Sequence, residues 1–160
     1  MAFNSADPVI FLGVSAVTDT LGPNDMAPGY RTSYEGREYV LVYNNSDTSI
    51  QAGYGAVLQS GATQMSVTVS AVTSADVVVG VCRNATISGS QYGWLVTRGI
   101  TPLELNASSG TVAAGDLVEI GANGDFQKVS NTTANLAPAL GKFLEAGVSG
   151  ASASAYISCF

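Results

Sequence analysis

VGVCRNA at residues 79–85 and LGKFLEA at residues 140–146 are one phrase written twice. Gly80 matches Gly141, Ala85 matches Ala146 and, further on, Gly89 matches Gly150, each at an offset of 61. The stretch Trp94–Val96 then falls opposite Ala155–Ile157. Upstream, Ala52-Gly53-Tyr54-Gly55-Ala56-Val57 echoes Ala114-Gly115-Asp116-Leu117-Val118 at an offset of 62, a one-residue difference of the kind a loop insertion gives. Each unit reads as a glycine turn delivering a strand, a glycine-bearing strand, a loop of small residues and a closing strand. Glycine suits both tasks, because it adopts the positive φ of tight turns and lets backbones approach closely where strands bend. Two such pseudo-repeats of about 61 residues bury their apolar faces either by packing face to face or by closing into one barrel.

The rest of the chain agrees with an all-β fold. Met65, Val67 and Val69, with Ala71, alternate with Ser66, Thr68 and Ser70, the period of a strand with one buried face. Ala155, Ile157 and Cys159 alternate in the same way with Ser154, Tyr156 and Ser158. Further β-branched or aromatic runs span Tyr39–Tyr43, Val77–Val81, Trp94–Thr97, Leu117–Ile120 and Phe126–Val129, with Gly, Asn, Asp and Ser clusters between them. Many short strands and frequent turns predict an antiparallel sandwich or barrel, with Val67, Val69, Val79, Val81, Val118 and Ile157 pointing inward. The apolar run 9–17 reads as a further buried strand, and 132–140 has room for a short helical turn. The expected organisation is a single β-domain over 37–160 preceded by an N-terminal arm or extended segment over 1–36.

Charged residues make up 11% of the 160, against roughly 25% in an average soluble domain, and the net charge is −6. A surface so poor in charge suits a protein partly covered by partners, and equally an ordinary β-sandwich rich in Thr and Ser. The six Lys and Arg are scattered, which argues against nucleic acid as a partner, since phosphate contacts need clustered cations. No stretch of 18 apolar residues exists, so no membrane-spanning helix is expected.

Reactive chemistry finds little to work with. Without a histidine, a Ser or Cys nucleophile lacks its usual base, and Cys82 and Cys159 lack the companions of a zinc site. The two thiols are expected to stay reduced rather than to form a disulfide. Glu35, Glu38, Glu104, Asp116, Glu119 and Glu145 each sit beside a turn or on a polar strand face, the setting of solvated carboxylates rather than of a glycosidase pair. Asn123-Gly124-Asp125 reads as a hairpin turn before it reads as a calcium loop. Tyr92 and Trp94 form either a sugar-stacking platform or a half-buried aromatic pair of the sheet. No catalytic residue, cofactor site or metal site is expected, and the chain is not expected to be an enzyme.

In the N-terminal segment, Pro and Gly at 22–29 give way to Tyr30, Arg31, Tyr34 and Arg37, four residues of the types favoured as interface anchors within eight positions. These four are the candidate partner-binding residues, on an arm that wraps a neighbour or on a surface loop.

The succession Gly53–Val57, Val79–Ala85, Gly89, Gly99, Ala113-Ala114-Gly115-Asp116-Leu117-Val118 and Leu140–Ala146, followed by a final strand, resembles the small β-rich head decoration, or cement, proteins of tailed bacteriophages. The A-G-D-x-V step and the later G-x-x-L-E-A step carry most of the likeness, which covers about residues 50–160. The resemblance implies a structural protein of the virion, made in the host cytoplasm and placed on the outer capsid surface. It implies a homo-oligomer, commonly a trimer, that bridges neighbouring copies of the major capsid protein and stabilises the shell. A receptor- or glycan-binding module of a phage fibre or tail is the alternative.

Overall fold

The computed structural model describes residues 28–59, 61, 65–69, 76–83, 86–108, 110–121, 123–129 and 139–159. Ten strands occupy them: β1 (Arg31–Tyr34), β2 (Arg37–Asn44), β3 (Gly55–Leu58), β4 (Ser66–Thr68), β5 (Val78–Cys82), β6 (Tyr92–Glu104), β7 (Leu117–Ile120), β8 (Phe126–Lys128), β9 (Gly141–Phe143) and β10 (Ser152–Ser158). No helix occurs among the described residues. The expected strand at 9–17 lies outside them, as do residues 132–138 of the expected turn at 132–140, whose last two residues are not helical.

The strands form one sheet in the order β1-β2-β4-β3-β5-β6-β10-β9-β7-β8, with an added β2–β6 pairing that closes a five-stranded ring of β2, β4, β3, β5 and β6. A second ring follows. β6, β10, β9, β7 and β8 are paired in sequence, and a parallel bridge from Leu105 to Phe126 returns β8 to the end of β6. The molecule is therefore two small barrels that share one 13-residue strand.

These barrels are the two pseudo-repeats. The parallel β2–β4 pair at Asn44 and Val67 has its counterpart in the Leu105–Phe126 bridge, and the Ile50–Ile87 bridge has its counterpart in Val112–Gly147. Gly53 N–H donates to the Cys82 carbonyl at 2.6 Å, as Gly115 N–H donates to Phe143 at 2.8 Å. The N-terminal half of β6 thus matches β10, while its C-terminal half matches β2. In the turn before the closing strand the register is 60 rather than 61: Ser90 (φ 58°) corresponds to Gly150 (φ 71°), each donating its N–H to the strand-end carbonyl of Asn44 or Leu105. The Gly89–Gly150 match is corrected accordingly, because the need for positive φ falls on the second turn residue, and so is the match of Trp94–Val96 with Ala155–Ile157: Leu95 pairs with Cys82 as Ala155 pairs with Phe143, so the closing strand keeps the register of 60.

The glycine at the centre of the repeated phrase has a physical cause. A Cβ on Gly80 would stand 2.5 Å from the Val96 carbonyl oxygen, and a Cβ on Gly141 would run into that of Tyr156. In both barrels this strand crosses its neighbour too closely for any side chain.

β6 is longer than the Trp94–Thr97 run because Gly99 and Pro102 do not end it. Gly99, at φ 120°, takes the bend between the two rings, where a Cβ would meet the Gly36 carbonyl. Pro102 pairs with Ser154 of β10 on a stretch where the ladder runs on one side only, so its missing N–H costs nothing.

Two cores result. Val40, Val42, Ile50, Ala56, Val67, Val69, Val79, Cys82, Ile87 and Leu95 fill the first barrel. The other contains Leu103, Leu105, Val112, Val118, Phe126, Phe143, Ala155 and Ile157 and also takes in Tyr39, Val57, Val78, Val81 and Val96, which point outward from the first barrel. All six residues expected to face inward are buried. β5 is buried at every residue because both its faces are covered, which is why it is a continuous apolar run instead of an alternating one.

Candidate functional site

The segment carrying Tyr30, Arg31, Tyr34 and Arg37 is described from residue 28, where it joins the sheet. β1 pairs antiparallel with β2 from Arg31–Val40 to Tyr34–Arg37, around Glu35 (φ 48°) and Gly36 (φ 73°). Two successive positive φ angles make the tight hairpin turn whose twist matches that of the strands. Among the described residues β1 pairs with no other strand, so it forms an edge of the described sheet.

The four residues part ways here. Tyr34 and Arg31 are exposed. Tyr30 is also exposed, but its ring stands edge-on to Trp94 with centroids 6.3 Å apart. Arg37 is held by its own chain: Nε donates to the Ile100 carbonyl, and the guanidinium lies 3.6 Å from Glu35. Arg83 also reaches Glu35, at 4.0 Å, and its guanidinium donates to the Tyr39 hydroxyl. Arg37 therefore pins the hairpin to the bend of β6, while Tyr30 and Tyr34 on one face of the segment and Arg31 on the other are exposed.

Tyr92 and Trp94 do not stack on each other. Tyr92 meets Tyr43 on the neighbouring strand with centroids 4.9 Å apart, and Trp94 meets Tyr30. All four rings lie on the outside of the first barrel, in a half-exposed aromatic band beside the β1 edge. Its coherence was invisible in the sequence, since Tyr30 and Tyr43 reach Trp94 and Tyr92 only through pairing.

Each carboxylate weighed as an acid or base has a structural partner. Glu38 lies 3.5 Å from Arg98, Glu104 accepts from the Ser152 hydroxyl at 2.9 Å, and Glu119 accepts from the Gln127 amide at 2.7 Å. Asp116 accepts the Ala113 N–H and closes a turn. Glu145 accepts the Ser154 N–H at 2.6 Å, which holds its carboxyl below the ordinary value. Asn106 donates to Asp125 at 2.9 Å, and burial together with Glu104 and Asp125 raises the Tyr54 phenol. Asn123-Gly124 lies in the turn between β7 and β8, closed by Gly121 N–H to the Asp125 carbonyl. Cys82 and Cys159 are buried and form no disulfide, and burial pushes the Cys159 thiol up to about 12. Among the described residues no group of three or more Cys, Asp or Glu could hold a metal ion.

Asn44 is wholly buried and does internal work. Its amide donates to the carbonyls of Thr48, Ile87 and Ser88 at 2.8, 3.1 and 3.2 Å, and its oxygen accepts from Ser46. That knot ties the loops at one end of the first barrel.

Two solved structures share this arrangement of barrels. One is the N base of the head fiber gp8.5 of bacteriophage phi29, at 11% identity and a TM-score of 0.55, covering 75% of this chain and 94% of that one. The other belongs to the capsid of Myoviridae phage XM1, at 15% identity and a TM-score of 0.57, covering 100% of this chain and 99% of that one. In fold, the chain is similar to phage head proteins. No family model matches the sequence, and no curated protein matches it significantly. The likeness is thus one of fold, and it falls on the class of protein that the glycine-rich motifs resemble.

Proposed function

We propose that this protein is a non-catalytic component of a phage head, bound to the outer surface of the capsid as a homotrimer and bridging copies of the major capsid protein. The observation that carries this reading is the fold, shared along the whole chain with a protein of a phage capsid and over most of it with a head-fibre base. Three features support it. The surface is poor in charge, every carboxylate weighed for chemistry is engaged in holding a turn or strand, and an edge strand of the described sheet carries the exposed residues Arg31 and Tyr34, with Tyr30 exposed beside it. An edge strand offers unpaired backbone groups, and Tyr and Arg are the side chains that most often anchor contacts. Weak contacts of this kind add when a trimer engages several capsid subunits at once.

The test is co-sedimentation of the full chain with undecorated capsids of its phage. The expected result is saturable binding that weakens at least about tenfold in the Arg31→Glu, Tyr34→Ala double variant, a loss of the size that anchor residues carry. Failure of the wild-type chain to sediment with those particles would overturn the reading. Undiminished binding of the double variant would move the docking surface away from β1.

A further inference from the structure

The two barrels carry the same row of residues on the same outer face, and among the described residues only one of the rows is covered. In the first barrel the row runs across four strands from Tyr39 through Val96 and Val81 to Gly55, by the pairings Tyr39–Val96, Val81–Val96 and Gly55–Val81. In the second it runs from Ile100 through Tyr156 and Lys142 to Leu117, by the pairings Ile100–Tyr156, Tyr156–Lys142 and Leu117–Lys142. The strands correspond one to one. Tyr39, Val96 and Val81 are 2%, 0% and 0% exposed, whereas Ile100, Tyr156 and Leu117 are 49%, 39% and 43% exposed.

The first row is covered by the second barrel of the same chain. Gly55 N–H donates to the Gly124 carbonyl at 2.7 Å, and a Cβ on Gly55 would stand 2.7 Å from Phe126 and 2.8 Å from Ile120. At the Gly55 end of the row the covering surface is therefore the β7–β8 end of the second barrel, and Tyr39, Val81 and Val96 pack into that barrel's core cluster with Phe126. The matching end of the first barrel is the C-terminal end of β3, where Leu58 corresponds to Ile120. Leu58 is exposed, and its N–H donates to the carbonyl of Val77, which is exposed too. The internal interface uses one row and one hairpin end, and leaves the other row and the other end open on the same molecule. Both open surfaces present large apolar side chains, which a monomer in water rarely gathers without a partner.

We propose that a second copy of this chain covers the Ile100, Tyr156, Lys142 and Leu117 row with the end of its first barrel marked by Leu58 and Val77, repeating between molecules the contact already made within one. Such a contact is heterologous, joining two different patches head to tail, and it closes into a ring where the rotation per copy allows. Lys142 is compatible with the scheme, because a lysine can lay its aliphatic stem along an apolar contact and keep its ammonium in water. The inference deepens the self-association in the proposed function and is independent of capsid docking.

Sedimentation velocity on the full chain, without capsid, tests it. The wild type is expected to be oligomeric, and Leu117→Glu and Leu58→Glu should each weaken association on the order of 100-fold, since each places a charge in an apolar contact. Val148→Glu, at an exposed apolar position outside both patches, should leave the mass unchanged. A second experiment reads the polarity of the contact. Leu58→Cys and Leu117→Cys proteins, treated with a bismaleimide, should cross-link when mixed and not when treated separately, the native thiols being buried. A monomeric wild type, an oligomer indifferent to both Glu variants, or cross-linking of either Cys variant with itself would overturn the proposal. Loss of capsid binding by a Leu117→Glu variant that keeps its oligomeric mass would also overturn it, assigning the row to the capsid. Capsids that fail to bind a normally associating wild type would sink the capsid reading and leave this one standing.

Discussion

β5 and β9 hold the same place in their barrels, cross their neighbours over the same glycine and end at matching residues, Cys82 and Phe143. Yet every residue of β5 is buried, and of β9 only Phe143 is. The difference lies in what covers the outside. Val81 faces the second barrel, and its counterpart Lys142 faces solvent, so one topology carries a wholly apolar strand in one copy and an alternating strand in the other. Backbone pattern and burial are thus separate properties: the repeat sets the first, and the position of each barrel in the molecule sets the second.

The largest effect should come from exchanging these counterparts. Val81→Lys puts an unpaired ammonium between the barrels and should cost about 4 kcal/mol or more in denaturant unfolding, whereas Lys142→Val should change stability by less than about 0.5 kcal/mol. Comparable losses at both positions would mean that the barrels do not pack as described.

The two crossing glycines should instead behave alike. Gly80→Ala and Gly141→Ala each force a methyl against a carbonyl of the adjacent strand and should each destabilise by about 1–3 kcal/mol, read as a fall in the unfolding midpoint. A tolerated Ala at one site only would show that its crossing can open.

A third contrast sets Asn44 against its counterpart Leu105. Asn44→Leu would make the first barrel imitate the second but strand the carbonyls of Thr48, Ile87 and Ser88, at a cost of about 1–3 kcal/mol. A neutral result would mean that water or the loop itself satisfies them.

The smallest effect concerns the end of the second barrel, where the Cys159 N–H donates to Thr97 and the buried thiol titrates near 12 rather than 9.0. Because the folded value is raised, its contribution to stability is complete below pH 9 and is lost as pH rises towards 12. The slope is at most about 1.4 kcal/mol per unit. Stability of the wild type should therefore fall more steeply above pH 9 than that of Cys159→Ala, and parallel curves would show that the thiol is open to solvent.

Much of this fold was legible in the chain. The doubled phrase announced two units, and the β-branched runs marked β2, β5, β7, β8 and β10 to within a few residues. Edge strand β1 was not legible, because its turn is Glu35-Gly36 and glutamate is not a residue that advertises two positive φ angles. Nor was the length of β6, since Gly99 and Pro102 imitate a break. Of the candidate contacts, the sequence located the cluster Tyr30, Arg31, Tyr34 and Arg37 without separating Arg37, whose hydrogen bond to Ile100 spans 63 residues.

Period, glycine placement and the scarcity of charge are local properties of a chain, and they alone determined that this protein is all-β, doubled and poor in reactive groups. Pairing is a long-range property. Only the tertiary structure decided that each ring contains one parallel contact, that one strand serves both, and that one barrel hides the apolar row which the other leaves exposed. Those outcomes depend on which faces meet, and a residue cannot signal a neighbour from which the chain separates it by dozens of positions.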